Sequence, residues 1–231
     1  ECHLIFGALG QDGSYLSEQL SLESKRVVGV IKPNTEISRI HSNKNIEYVQ
    51  GDICDSGFVS LLFESYSPTH IYNLASASSV ADSYLHPQLS KKINLDFVQI
   101  LLEVMEKFRA ICKHDIFLLQ ASSSEMFGPN NNHRITEETQ HDPRSPYAVH
   151  KSMAHELCLN ARETKDLKIG IPILFNHESP RRPVRFVSRK ITRSAFMISK
   201  GIEKANLNLQ SIVDGHNIRV DRKSTRLNSS H

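Results

Sequence analysis

The sequence predicts a doubly wound α/β fold, and three observations carry that prediction. Short β-rich runs alternate with longer amphipathic patterns, a glycine-punctuated turn follows the first run, and a run ending in serines precedes a Tyr-x-x-x-Lys pair. Such alternation implies parallel strands joined by crossover helices that cover both faces of the sheet.

The strand candidates, in order, are "HLIF" at 3–6, "VVGVI" at 27–31, "IEYVQ" at 46–50, "HIYNL" at 70–74, "IFLLQAS" at 116–122 and "IGIPILF" at 169–175. Between them the helical period is clearest over 94–114, where Leu95, Val98, Leu101, Leu102, Met105 and Phe108 recur on one face. A short turn, "PNNNH", follows Gly128. At 231 residues the chain has room for one well-buried domain, or one and part of another. No apolar run approaches the roughly 20 residues of a membrane span. Cys2, Cys54, Cys112 and Cys158 are scattered, without a C-x-x-C pair, and the twelve histidines are dispersed. Neither a disulfide framework nor a metal site is expected, and reduced cysteines suit a cytoplasmic protein.

The last eleven residues, "DRKSTRLNSSH", continue no apolar period and match the translation of a common sequencing-library adapter, so 221–231 is expected to be an artefact. Arg222, Lys223 and Arg226 against Asp221 make that tail +2, which reduces the chain's +3 to +1. Basicity then gives no reason to expect a nucleic-acid partner.

"GALGQDG" places Gly7, Gly10 and Gly13 between the first strand and the first helix. Glycines in that context allow a tight turn and close approach of a pyrophosphate to a helix N-terminus. An NAD-preferring site carries an acid at the end of the second strand, about 20 residues on, to hold the ribose 2′-hydroxyl. Here that strand ends in Lys32 and Pro33, and a cation suits the 2′-phosphate of NADP. Asp52, after the third strand, stands where an adenine edge is read, and 74–78 ("LASAS") supplies small residues for close cofactor approach.

"SPYAVHK" puts Tyr147 and Lys151 four residues apart, on one face of a helix that Pro146 starts. A nearby ammonium stabilises a tyrosinate and is expected to lower the phenol toward the range of a general base. Gly-rich turn, Ser-bearing strand and YxxxK follow one another in the order of the short-chain dehydrogenase/reductases. The blocks "GQDGSYL", "GDICDS", "IYNLA", "SSSEMFG", "PRSPYAVHK" and above all "NHESPRR" with "FVSRKITR" resemble one family of the extended, sugar-nucleotide-modifying branch, the GDP-mannose 4,6-dehydratases, over residues 3–202.

That resemblance implies a Rossmann-type NADP-binding domain over 1–175 that bears the catalytic residues, and the start of a substrate-binding region over 176–220. It implies Ser123, Tyr147 and Lys151 as the redox triad and Glu125 as the acid that abstracts a proton. It carries the cofactor contacts onto Gly7, Gly10, Gln11, Asp12, Gly13, Asp52, Ile53, Leu74, Ala75, Ser76, Ser78, Lys151, His177 and Arg182, and nucleotide-sugar contacts onto Asn176, Val187 and Lys190. The implied reaction is an internal redox elimination of water from GDP-mannose, by an enzyme that forms homo-oligomers. Several positions depart from the family. Ser123 stands for a threonine, Lys32 and Pro33 for an arginine pair, and Leu89 for a tyrosine. Pro183, Val184 and Arg185 interrupt the block after "SPRR", and an RDWG segment is not recognisable near "VDGHNIRV". Two other readings compete: a different extended-branch enzyme (a UDP-sugar decarboxylase, an epimerase or a dTDP-glucose dehydratase), and a nucleotide-binding fragment without turnover.

Overall fold

The computed structural model describes residues 1–23, 25–35, 45–112, 114–129 and 134–202. The adapter-like tail, the "VDGHNIRV" stretch and most of the "PNNNH" turn lie outside the described residues. The chain divides into two compact units, Glu1–Arg182 and a second that begins at Pro183.

In the first unit the strands are β1 (Cys2–Phe6), β2 (Arg26–Ile31), β3 (Ile46–Gln50), β4 (His70–Asn73), β5 (Phe117–Gln120), β6 (Ser122–Ser123), β7 (Lys168–Gly170) and β8 (Ile173–Leu174). Helices α1 (Gln11–Leu22), α2 (Ser56–Tyr66), α3 (Val80–Leu85), α4 (Pro87–Lys91), α5 (Phe97–Cys112) and α6 (Pro146–Thr164) connect them, with a π-helical turn at Lys92–Asp96 and a 3-10 turn at Ser124–Phe127. Six strands form one sheet in the order β3-β2-β1-β4-β5-β7, every pair parallel. This is the expected Rossmann-like, doubly wound sheet. Its strand order reverses between β1 and β4, so the crevice beyond their carboxyl ends is where such sheets bind ligands.

β1 and β2 are buried on both faces, as interior parallel strands must be. Leu4, Phe6, Val28 and Val30 join the larger core with Val59, Leu62 and Phe63 of α2, the buried face of α5, and Ala154, Cys158 and Ala161 of α6. Ile5, Val27 and Ile31 point the other way and pack with Ala8 and Leu20. Phe6 meets Phe97 edge-on at 5.0 Å, and Phe63 meets Phe108 at 5.4 Å. Each such fully buried side chain contributes about 1.5–3 kcal/mol. All six apolar residues of the 94–114 pattern are buried.

The last two expected strands each break in two. β5 leaves the main ladder at Ala121, and β7 leaves it before Pro172, which has no N–H to give. Ser122 then donates to the Pro172 carbonyl at 2.9 Å, and β6 pairs with β8 as a separate parallel ribbon. The break carries Ser122 and Ser123 away from the sheet and toward the start of α6.

The second unit contributes α7 (Val187–Ser199), none of whose residues is buried. Among the described residues no helix is long and apolar enough to cross a membrane, and no group of three or more metal-ligating side chains gathers.

Candidate active site

The glycine turn is built by close contact. Gly7 has φ +80°, where an L side chain is strained, and a Cβ there would stand 2.8 Å from the Ala75 nitrogen. The turn after β1 therefore presses on the chain leaving β4. Gly10 N–H donates to the Gly7 carbonyl at 2.8 Å, and a Cβ on Gly13 would lie 2.2 Å from that same oxygen. Helices α2, α3 and α6 are capped by the side chains of Asp55, Ser79 and Ser145. Helix α1 starts at Gly10 with no side-chain cap. Its first N–H groups thus lack the acceptor that the other three helices supply for themselves.

Residues 175–182 fold against this helix start. The His177 ring donates from Nδ1 to the Phe175 carbonyl at 2.7 Å and from Nε2 to Asp12 Oδ1 at 2.8 Å. The Phe175 carbonyl and the Asp12 carboxylate hold this imidazole above its ordinary pKa, against a smaller opposing effect of burial. Gln11 Nε2 and Arg182 Nη1 both donate to the His177 carbonyl at 3.2 Å. Arg181 lies over the Tyr15 ring, 3.9 Å from its centre, and its Nη2 reaches both Glu18 oxygens at 2.7 and 2.6 Å. Two buried polar atoms here, Gln11 Oε1 and Arg181 Nη1, have no hydrogen-bond partner. A glycine cradle, an uncapped helix start and the unpartnered Arg181 Nη1 form a donor set that fits the diphosphate of a dinucleotide, while Gln11 Oε1 is an acceptor.

The remaining expected cofactor contacts ring the same crevice. Leu74 N–H donates to the Phe6 carbonyl at 3.0 Å and Ala75 N–H to Asn73 Oδ1 at 3.2 Å, which fixes the start of the 74–78 segment. Ser76 Oγ donates to Asn94 Oδ1 at 2.8 Å. Asn94 is buried on the π-helical turn and also accepts from Ala77 N–H. The sequence reading missed Asn94, although a polar residue inside an apolar helical pattern was a usable signal. Ser78 and Lys32 are exposed and Ile53 is half-buried. Asp52 already engages both oxygens, one with Cys54 N–H at 2.9 Å and one with Lys92 at 3.1 Å, and these partners lower its pKa.

The opposite wall is buried. Ser145 caps α6 through Ala148 N–H, Pro146 occupies its first turn, and Tyr147 and Lys151 follow on the inward face at 8% and 4% exposure. Lys151 Nζ donates to the Ala121 carbonyl at 2.5 Å, the group freed where β5 breaks. Burial lowers this ammonium to about 8. The hydroxyls of Ser123 and Ser76 both serve the Tyr147 phenol and lower its pKa, but burial outweighs them and the Glu125 charge adds to the rise. The net direction is upward, which corrects the expectation that Lys151 would lower the phenol. Desolvation of a phenolate is the larger effect at a site this closed.

Ser123 has a second task. Its hydroxyl oxygen accepts the Glu125 N–H at 3.3 Å and caps the 3-10 turn that carries Glu125, Met126 and Phe127. Glu125 itself is half-buried. Gly128, at φ +64°, ends the turn against the Asp142 carbonyl, which a Cβ would approach to 2.2 Å. The serine hydroxyl and the turn that bears the acid are thus tied together, and the Glu125 charge is felt at the phenol.

Asn176 is exposed beside His177 in the first unit. Val187 and Lys190 belong to the second unit, in the first turn of α7, with Val187 exposed and Lys190 half-buried. His155 also escaped the sequence reading. It lies one turn beyond Lys151 on the inward face, and its spacing from Tyr147 and Lys151 was the available signal.

A family model described as GDP-mannose 4,6 dehydratase matches residues 4–219. A GDP-mannose 4,6-dehydratase of Vibrio cholerae is 37% identical over 226 residues, 92% of this chain and 60% of that protein. The Homo sapiens GDP-mannose 4,6 dehydratase is 34% identical over 209 residues, 86% of this chain and 56% of that protein. The chain therefore spans less than two thirds of the length of these relatives. Among solved structures, a Thermus thermophilus UDP-glucose 4-epimerase in complex with NAD superposes with a TM-score of 0.76 at 22% identity, over 88% of this chain and 64% of that one. A Bacillus anthracis dTDP-glucose 4,6-dehydratase in complex with NAD gives 0.72 at 22% identity, over 84% and 61%. At that identity the likeness supports the fold.

Proposed function

The chain belongs to the GDP-mannose 4,6-dehydratase family, and from that membership we propose that the protein converts GDP-mannose to GDP-4-dehydro-6-deoxy-mannose and water. One observation supports this above the others: a carboxylate, Glu125, is tethered through its own N–H to Ser123, beside the phenol of Tyr147. Oxidation and reduction of a sugar hydroxyl need the Ser, Tyr and Lys set, whereas elimination of water needs a base and acid at the neighbouring carbon as well.

The dinucleotide that completes this site is NADP, and when bound it supplies the acceptor and donor of the hydride. Gly7, Gly10, Gly13, Gln11, Asp12, His177, Arg181 and Arg182 hold its diphosphate end, and Lys32 serves the 2′-phosphate. Asp52 with Ile53 lines the adenine, and Leu74, Ala75, Ser76 and Ser78 admit the rest close to the backbone. For the nucleotide-sugar, the family resemblance assigns contacts to Asn176 in the first unit and, separately, to Val187 and Lys190 in the second.

The residues then divide the proton traffic. Tyr147, once ionised against the upward pull of burial, takes the proton of the sugar's 4-hydroxyl, with Ser123 donating to the phenolate oxygen while Ser76 keeps its proton on Asn94. Lys151 fixes the Ala121 carbonyl and lends a cation poised near neutrality. With carbon 4 a ketone, the proton on carbon 5 becomes acidic and Glu125 removes it. Glu125 passes that proton to the 6-hydroxyl, which leaves as water, and the proton held by Tyr147 returns to carbon 5. Protons balance over the cycle, and with the hydride removed from carbon 4 returned to carbon 6 the net change is loss of one water.

The test is turnover of a panel of sugar nucleotides by the full-length protein with NADP⁺. A 4-keto-6-deoxy product from GDP-mannose, without net cofactor reduction, is expected. Product from UDP- or dTDP-linked sugars alone would abandon this substrate, and faster turnover with NAD⁺ than with NADP⁺ would abandon the cofactor.

A further inference from the structure

Behind the segment that carries Ser123 and Glu125 lies a pair of imidazoles, His155 buried and His141 half-buried. His155, 8% exposed, brings Nδ1 to 3.0 Å from the hydroxyl of Ser122, itself buried. Ser122 directs its own proton to the Met126 sulfur at 3.4 Å, so its oxygen accepts from His155 Nδ1–H. The His155 ring meets the His141 ring edge-on, centroids 5.4 Å apart. His141 in turn meets Phe127 at 5.5 Å, and its Nδ1 lies 2.9 Å from the Ser152 hydroxyl and 3.4 Å from a Glu156 oxygen. The backbone closes the same ring, because Asp142 N–H donates to the Met126 carbonyl at 2.9 Å.

We infer that His155, backed by His141, is a positioning residue for Glu125. On one face of α6, successive turns grip successive residues of the broken strand: Lys151 holds the Ala121 carbonyl and His155 holds the Ser122 hydroxyl. His141 supports Phe127 at the far end of the 3-10 turn. The His155 contact with Ser122 and the His141 contact with Phe127 bracket Ser123 and Glu125, so their placement relative to Tyr147 follows from the imidazole pair. Burial and His141 keep His155 below its ordinary pKa, against Glu156, with Arg162 adding to the fall. A neutral ring is what a Nδ1–H donor with a dry environment requires.

This inference rests on the proposed dehydration, and the experiment separates the two. In the full-length protein, His155→Leu removes the bond, Ser122→Ala removes it from the other side, and His155→Asn keeps a donor at the position of Nδ1. With GDP-mannose and NADP⁺, His155→Leu is expected to lose about tenfold in kcat, as misplacement of a reacting group does. Its KM should stay within about twofold, and solvent deuterium should enter carbon 5 more slowly; Asn should restore most of both. The Leu and Ala effects should be non-additive in the double variant, as expected of two partners in one bond. Unchanged kcat per folded molecule, or additive effects, overturns the inference. If the wild type fails to turn over GDP-mannose, the dehydratase reading falls alone. The brace is then judged by amide hydrogen exchange over 122–127, where faster exchange in His155→Leu supports it and unchanged exchange refutes it.

Discussion

The two walls of the crevice hold their charges in opposite ways. On the α6 wall, Tyr147 and Lys151 are shut away from water, and desolvation governs both: the phenol rises and the ammonium falls to about 8. On the α1 wall, His177, Asp12, Arg181 and Glu18 are at least partly open to solvent, and partners govern instead: His177 rises because a carbonyl and a carboxylate receive its protons. Burial disfavours the charged form of both groups, raising the phenol and lowering the ammonium, so each is held toward its neutral form. Pairing keeps charges fixed, which suits the binding of an anion.

The largest expected effects therefore fall on the buried wall. Tyr147→Phe should cost about 10²–10⁴-fold in turnover while thermal stability stays near wild type, measured as kcat beside a melting curve. A loss confined to KM would place the phenol outside the chemistry. Glu125→Gln keeps the shape and hydrogen bonding of the turn but not its basicity. It should still permit oxidation at carbon 4, seen as absorbance of reduced cofactor, and should stall before loss of water. Full turnover by that variant would remove the role of Glu125.

On the open wall, Gly13→Ala drives a methyl toward the Gly7 carbonyl, 2.2 Å from an ideal Cβ. A destabilisation of about 1–3 kcal/mol by chemical denaturation is expected, with weaker dinucleotide binding. Glu18→Gln leaves Arg181 without its carboxylate. That pair is partly exposed, so the stability change should be only about 0.5–1 kcal/mol, with kcat unaltered. An effect as large as that of Tyr147→Phe would erase the distinction between the walls.

The pH dependence has two signs. His3, His150 and His155 have lowered values through burial, so the unfolded chain binds more protons than the fold and stability should fall as pH drops below about 6.5. His177 is raised, so its contribution is complete below about 6.5 and is lost as pH climbs through its folded value. A few-fold weakening of dinucleotide binding on the alkaline side, abolished in Asp12→Asn, is the smallest effect expected.

Much of this was legible in the residues. Each apolar run holds a strand and the last two hold two apiece; β1 and β2, buried on both faces, are apolar along nearly their whole length. The 94–114 helix and the glycine turn follow equally from local pattern. What the sequence concealed depends on contacts between distant segments. Pro172 marked one strand break, but the matching break at Ala121 exists because Lys151 captures its carbonyl from 30 residues away. The upward shift of Tyr147 needed the depth of the site, and the part played by His155 needed its partner Ser122, 33 residues distant.

The most direct test follows deuterium placed on carbon 4 of GDP-mannose through one turnover by the full-length protein. Transfer of that deuterium to carbon 6 of a 4-keto-6-deoxy product, with no accumulation of reduced cofactor, is the result predicted. Deuterium left at carbon 4, or lost to the cofactor pool with carbon 6 still bearing its hydroxyl, would contradict dehydration at this site.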